Sequence, residues 1–183
     1  MCLISLLCSH QIDQAVVSLS DKEGLRAAQS VVNTLLKAYN KDLLASRTAT
    51  AIEFSEQAGR AAAANNTPVL INTVNFGADG KIAKTMQDII KKHSPLTSNF
   101  FCSLDTNDTK VGVYTVSTPE HVKAGLDAKE WSSHVIAAVG GGKGGGKSSQ
   151  ATASIPVDAE HSPDQMVEAI LAAARDYAAS KGF

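Results

Sequence analysis

The chain has few cysteines, almost no net charge and no long apolar run, and each absence excludes a class of protein. Its three cysteines, Cys2, Cys8 and Cys102, are an odd number without a paired C-x-x-C spacing, which points to a reducing compartment. The formal net charge of -1 at pH 7 leaves no global basic field, so nucleic-acid binding would require a local patch. No stretch reaches the roughly 20 apolar residues that a membrane crossing needs.

Clustered catalytic and metal-binding residues are also missing from the sequence. Paired carboxylates and a nucleophile with a nearby base do not appear, and the histidines are scattered. Cys2, Cys8 and His10 match no recognised zinc spacing. We therefore predict no catalytic residue and no metal site. Residues 1–19 are interpreted as an apolar lead-in, because they lack the basic start and the small-residue cleavage site of a secretory signal.

The chain does contain one strongly biased stretch, from Val139 to Gln150. Six of the seven residues in Gly140–Gly146 are glycine, with Lys143 inside the run and Lys147 directly after it. Glycine lets a partner approach the backbone but forfeits side-chain packing. Bare amides beside two lysines suit phosphate groups or a sugar–phosphate backbone. A flexible linker is the alternative, since runs of glycine and serine usually indicate one.

Residues Gly141–Ser148 also match the pattern G-x-x-x-x-G-K-S of a phosphate-binding Walker loop. That motif requires a buried strand before it and a helix that begins at its Lys-Ser pair. Here Trp131, Val135 and Val139 have helical spacing, so a helix leads into the glycines, and residues 149–156 indicate a short extended segment. This context argues against a nucleotide-hydrolysing loop.

Residues 20–66 predict a helical arm of two helices, arranged as a hairpin or a short coiled coil. Ser20 and Glu23 have the spacing of a capping box. Apolar residues then recur at alternating spacings of three and four, and the pattern thins near Ser46 before smaller residues continue it. The residues of this seam are Leu25, Ala28, Val32, Leu35 and Tyr39, followed by Ala51, Phe54, Ala58 and Ala61.

Residues 67–183 predict a globular α/β domain with a mixed sheet, so the fold class is α+β. Short β-branched runs indicate the strands, and cap residues with helical spacing indicate the helices. The predicted strands are 69–74, 99–104, 110–116 and, at an edge, 150–155. The predicted helices are 81–93, a helical piece that starts at 118–120, 128–139 and a last helix from 163 to about 181, with a glycine-rich loop at 140–147.

Three runs of this globule are distinctive: His93–Ser98, Gly125–Trp131, and Gly140–Gly146 with Lys147 and the following Gln150–Thr152. Together they resemble the C-terminal domain of eukaryotic cytoplasmic alanyl-tRNA synthetase. The likeness covers the globule from residue 69 to the end, and the arm only by its layout. Such globules are similar to the wider class of DHH-associated domains, which also stand beside phosphoesterase modules.

The resemblance implies a cytoplasmic module of an alanine–tRNA ligase that holds the outer corner of tRNA(Ala). The aminoacylation and editing domains of the same enzyme are its implied partners, and self-association through the arm is a further expectation. ATP, magnesium and zinc belong, by the resemblance, to the full-length enzyme. This piece carries neither the class II core nor the zinc-binding editing motifs, so it is expected to be non-catalytic and to hold no cofactor.

Two hypotheses of different class follow. In the first, the chain is a nucleic-acid-binding appendage whose glycine loop contacts the tRNA. In the second, it is a protein-interaction module whose arm binds a partner helix. The predicted nucleic-acid contacts are Gly140, Gly141, Gly142, Lys143, Gly144, Gly145, Gly146, Lys147, Ser148 and Gln150. The predicted accessory basic contacts are Lys81, Lys84, Lys91 and Lys92.

Overall fold

The computed structural model describes residues 19–105, 109–157 and 161–183. The chain divides into two units, Met1–Ser46 and Arg47–Phe183. Cys2, Cys8 and His10 lie outside the described residues, as does the predicted lead-in before residue 19. Within the described ranges, no helix combines the length and the apolar character needed to cross a membrane.

One helix, α1 (Leu19–Asn65), occupies the region predicted as two helices. The α+β class is confirmed, but the predicted division of the arm into two helices is wrong. The seam does thin near Ser46, yet no proline or glycine lies there, and the polar residues at that point lower helix propensity only slightly. Ser20, predicted as the cap, lies inside the described helix. The helix ends where Asn66 adopts a φ of 51°, a left-handed conformation common at helix ends.

In the unit Met1–Ser46, the described part of α1 exposes its large apolar residues. The predicted seam residues Leu25, Val32, Leu35 and Tyr39 are between 47% and 64% exposed. Val31, Leu36 and Leu44 are exposed to a similar degree. A stripe of this size on a helix is typical of a surface that meets another apolar surface.

The unit Arg47–Phe183 is built on a five-stranded mixed sheet with the order β1-β2-β3-β5-β4. β1 runs parallel to β2, and the other neighbours are antiparallel. The strands are β1 (Val69–Thr73), β2 (Ser98–Leu104), β3 (Lys110–Val116), β4 (Lys143–Lys147) and β5 (Gln150–Pro156). The four predicted strands are confirmed, with one correction: β5 is an inner strand, because the glycine-rich β4 pairs with it and forms the edge.

In the described part of this unit there are four further helices, and each is preceded by a cap residue whose side chain accepts a backbone N–H. They are α2 (Gly80–His93), α3 (Pro119–Lys123), α4 (Ala128–Ala138) and α5 (Pro163–Ser180). Asp79, Thr118, Asp127 and Ser162 are the caps. Ser162 and Gln165 form a reciprocal capping box, so the cap chemistry predicted for the last helix is confirmed.

Helices cover both faces of the sheet, and β2 shows the alternation that separates the two cores. Phe100 and Cys102 pack with Trp131 of α4 and Ile170 of α5 on one side, the α4/α5 face. Phe101 packs on the other side, the α2 face, against α2 and the C-terminal part of α1. Successive strand residues point to opposite faces, so a continuous apolar run fills both cores. Burial raises the pKa of the Cys102 thiol to about 11.

The C-terminal part of α1 approaches α2 closely through small residues. Its buried positions are Ala51, Ser55, Gly59 and Ala62, whereas the spacing predicted Ala51, Phe54, Ala58 and Ala61. A Cβ at Gly59 would lie 3.0 Å from the Cβ of His93. The predicted close approach by small residues is therefore present, but the buried line is shifted by one residue from Ser55 onward.

Candidate functional site

The glycine-rich segment is an edge strand with a fixed register. Helix α4 ends at Ala138, and Gly140 turns the chain with a φ of 78°. β4 then pairs antiparallel with β5, with Gly145 opposite Thr152. The predicted loop is therefore a strand from Lys143 to Lys147, and the flexible-linker alternative is wrong for these residues. A helix precedes the segment and a strand follows it, so the argument against a Walker loop is confirmed.

Two of the glycines are required by close packing on the α4/α5 face. A Cβ at Gly144 would lie 2.8 Å from Cδ1 of Ile136 and 2.9 Å from the Cβ of Ala153. Real Cβ atoms do not approach this closely, so helix α4 lies directly on a bare strand. At Gly146, where φ is 152°, a Cβ would overlap the carbonyl oxygen of Gln150. These glycines serve the fold.

Gly145 has no such reason to be glycine. Alternation along β4 turns Lys143, Gly145 and Lys147 to the α2 face, and a Cβ at Gly145 would meet nothing within 4 Å. Their register partners on β5 are exposed as well. We call these six residues the open floor: Lys143, Gly145, Lys147, Gln150, Thr152 and Ser154. The floor is polar, with one cation at each end of its outer strand.

Helix α2 borders this floor through a pair of amides. Nε2 of Gln150 donates a hydrogen bond to Oε1 of Gln87 at 3.2 Å, and Gln87 is buried with the apolar residues of α2. Sequence reasoning missed Gln87. The available signal is its spacing, since it follows the buried Ala83 by four residues and so belongs to the buried side of the helix.

The four accessory lysines of α2 lie on two different sides of the helix. Lys84 and Lys91 lie three residues before and four residues after Gln87, so helical spacing places them on the flank that borders the floor. Lys81 and Lys92 fall on the side opposite the buried residues. The structure therefore brings two of the predicted accessory lysines toward the floor and leaves two facing away.

The turn between β4 and β5 is fixed to the start of α4. The backbone N–H of Ala128 donates to the carbonyl oxygen of Ser148 at 2.8 Å. Burial raises the pKa of the Asp127 carboxyl, but hydrogen bonds from Ser148 and from the amides of Glu130 and Lys129 outweigh it, so the net pKa is lowered. The Asp127 carboxylate thus stays ionised at neutral pH and holds both the cap and the turn. These contacts hold the turn end of the floor against the start of α4.

The other glycines predicted as contacts precede β4. A Cβ at Gly140 or at Gly141 would meet nothing within 4 Å, and Gly142 adopts a φ of 142° beside Ile155. These three glycines lie before β4 and outside the floor.

Within the described ranges, no group of three or more His, Cys, Asp or Glu side chains is placed to hold a metal ion.

The chain is similar in sequence to a known enzyme and in structure to a known domain. The chain is similar to the cytoplasmic alanine–tRNA ligase of Drosophila melanogaster, with 29% identity over 147 residues that cover 80% of this chain and 15% of that enzyme. It therefore spans a small part of the relative's length. The crystal structure of the C-Ala domain from Aquifex aeolicus alanyl-tRNA synthetase matches with a TM-score of 0.42 and 19% identity, over 58% of this chain and 87% of that one.

A family model described as the DHHA1 domain matches residues 66–180. The match begins at the end of α1 and runs to the end of α5, so it contains the whole sheet and the open floor. The DHH-associated class to which the sequence shows a resemblance is thereby confirmed. Because the match covers more than half of the residues of this chain, the chain belongs to the DHHA1 domain family.

Proposed function

We propose that this chain is the C-terminal module of an alanine–tRNA ligase and that it binds tRNA(Ala) through the open floor. The main support for this proposal is the presence of glycine at position 145. Glycine is unfavourable in a strand, and here neither packing nor backbone conformation requires it. A bare position between two lysines on an exposed sheet face suits the close approach of a ligand with phosphate groups.

The chemistry of the floor is that of positioning rather than catalysis. Lys143 and Lys147 are four residues apart on one strand, so their attachment points are about 13 Å apart. Their ammonium groups bind phosphates, while Gly145 and Thr152 leave room for a sugar or a base against the backbone. Lys84 and Lys91 extend the cationic border. In this proposal the module is cytoplasmic and holds no cofactor, and the aminoacylation and editing domains act on the tRNA that it holds.

Removal of the two floor lysines tests the proposal. The double variant Lys143→Ala/Lys147→Ala should keep its thermal stability within about 0.5 kcal/mol, because both side chains are exposed. Its affinity for tRNA(Ala) should fall, and the slope of log K against log[salt] should become shallower by about 1.4 to 1.8, as expected for the loss of two phosphate contacts. Fluorescence anisotropy at four or more salt concentrations measures both quantities.

The matched control is Lys81→Ala/Lys92→Ala. It removes the same charge from the side of α2 that faces away from the floor, so its salt slope should stay close to that of the unmodified chain. Equal losses in the two double variants would show that binding follows total charge, and the floor would then be rejected as the site.

A second candidate function is self-association through α1, and the exposed apolar stripe of the unit Met1–Ser46 favours it. The stripe would be covered by the same stripe of a second copy in a coiled coil. Leu35 is 64% exposed, so Leu35→Asp should leave the Arg47–Phe183 fold intact. It should abolish association by placing a charge in the seam. Sedimentation velocity at several concentrations measures this, with Asn40→Asp, at an exposed position of α1 outside the seam, as a control for the added negative charge. A chain that stays monomeric at all concentrations would contradict the candidate.

A further inference from the structure

Gln87 is an anomaly in the core beneath α2. The side chain is only 6% exposed, and the buried residues around it on the helix are apolar or small: Ile82, Ala83, Met86 and Ile90. Its Nε2 has no hydrogen-bond partner among the described residues. A buried donor without a partner lowers stability, and a side chain of similar shape without the amide would avoid that loss. A contribution to folding stability therefore does not explain why an amide side chain occupies position 87.

Gln87 restrains the side chain of Gln150 through a hydrogen bond. Oε1 of Gln87 accepts one N–H of the Gln150 amide, which restricts the rotation of an otherwise exposed side chain. A carboxamide has two N–H donors and one carbonyl acceptor. After the bond to Gln87, Gln150 keeps one donor beside one acceptor in a fixed orientation. Gln150 pairs with Lys147 in the register of β4 and β5, so this donor–acceptor pair stands at one end of the open floor.

The floor beside Gln150 has the dimensions of a base. Gly145 and Thr152 form the next outward-facing pair along the two strands, about 6.8 Å from the pair Lys147 and Gln150. A flat ring resting over Gly145 would present its edge to the Gln150 amide. Adenine carries an acceptor, N7, next to a donor, N6, whereas guanine presents two acceptors on that edge and each pyrimidine a single polar group.

We propose that Gln150, held in place by Gln87, recognises the N6/N7 edge of an adenine base that lies on the open floor. Gln87 is a positioning residue and Gln150 is the residue that touches the base. This inference rests on the proposed function, because it assigns a base preference to the surface that we propose for RNA.

A purely structural role for Gln87 is the competing explanation. Oδ1 of Asn99 is also buried without a partner in the described part of the chain, and Asn99, Val116 and Gln150 lie in one cross-strand row on the α2 face. If Gln87 serves Asn99, replacement of Gln87 changes stability and leaves base preference unaltered. Replacement of Gln87 thus separates the two explanations, because a positioning role predicts a change in base preference and a structural role predicts a change in stability alone.

The test compares a short oligoadenylate with the same oligomer made from 7-deazaadenine, which has the same charge but lacks the N7 acceptor. The unmodified chain should bind the adenine oligomer about tenfold more tightly, as expected for one base-edge contact. Gln87→Met and Gln150→Leu should each reduce that ratio to near one, with a melting temperature for Gln87→Met equal to or above that of the unmodified chain. Lys147→Ala should weaken both oligomers equally and keep the ratio.

Each outcome decides a separate claim. Equal binding of the two oligomers by the unmodified chain overturns the adenine inference and leaves tRNA binding standing. A tenfold ratio that persists in Gln87→Met shows that Gln87 does not position Gln150, and it also overturns the inference. If the unmodified chain binds neither oligomer nor tRNA(Ala), the proposed function fails and the inference fails with it.

Discussion

Replacement of Gly144 by valine is expected to lower the free energy of unfolding by about 3 kcal/mol, at the upper end of the usual range for overpacked sites. The new Cβ would overlap Ile136 of α4 and Ala153 of β5, and it would lie 3.1 Å from the carbonyl oxygen of Thr152. Ile136 can rotate, but the backbone of β5 cannot move without disturbing its pairing with β3. For a chain of this size, the melting temperature should fall by about 6 to 12 °C.

Circular dichroism during thermal unfolding measures the change at Gly144, and Gly145→Val is its matched control. The two variants add the same side chain to neighbouring positions of one strand, on opposite faces. A Gly144→Val chain that melts with the unmodified chain would contradict the direct packing of α4 on β4.

The second large effect is expected on binding rather than on folding. Gly145→Val should weaken the affinity for tRNA(Ala) at least tenfold, because the valine side chain would stand on the open floor where we propose that the ligand rests. Stability should be unchanged or slightly higher, since valine suits a strand better than glycine. The salt slope should stay near that of the unmodified chain, because Lys143 and Lys147 both remain.

Anisotropy titrations of Gly145→Val beside Gly141→Val complete this test. A Cβ at Gly141 also meets nothing within 4 Å, but the position precedes β4 and lies outside the floor. Unchanged affinity in Gly145→Val would show that the ligand does not touch the floor, even if the lysines contribute to binding.

Much of the globule was predictable from local signals. The β-branched run at Val69 identifies a strand that packs on both of its faces. The helical spacing of Ile82, Met86 and Ile90 identifies a helix with one buried side. The pair Ser162 and Gln165 marks the start of α5, as the structure confirms. These signals act over a few residues, so the sequence displays them directly.

Two of the errors have a common physical cause, which is that local composition does not decide pairing. Glycines are depleted in strands, so Lys143–Lys147 was predicted as a loop. The segment is a strand because β5 supplies its hydrogen-bond partners and Ile136 packs on its bare face. In α1, the thinner seam near Ser46 was interpreted as a break, although no proline lies there to interrupt the backbone hydrogen bonds.

The sequence indicated part of the candidate site but not its arrangement. Thr152 and Ser154 of the floor and the bordering Gln87 were not among the predicted contacts. The hydrogen bond between Gln87 and Gln150 joins residues 63 positions apart, and no local pattern of residues signals such a contact. The division of the glycines into packed and open positions depends on the register of β4 against β5. The same is true of the accessory lysines, because their relation to the floor depends on which strand α2 crosses.

The open edge of β4 has a consequence for how copies of this chain meet in solution. Its outer backbone groups are unshielded at three successive positions without side chains, and such an edge invites pairing with another strand. Two copies aligned antiparallel about Gly145 would bring Lys143 of each opposite Lys147 of the other, and like charges directly opposite one another oppose pairing. The two cations that we assign to phosphate binding thus also protect the sheet from growing by addition of a second molecule.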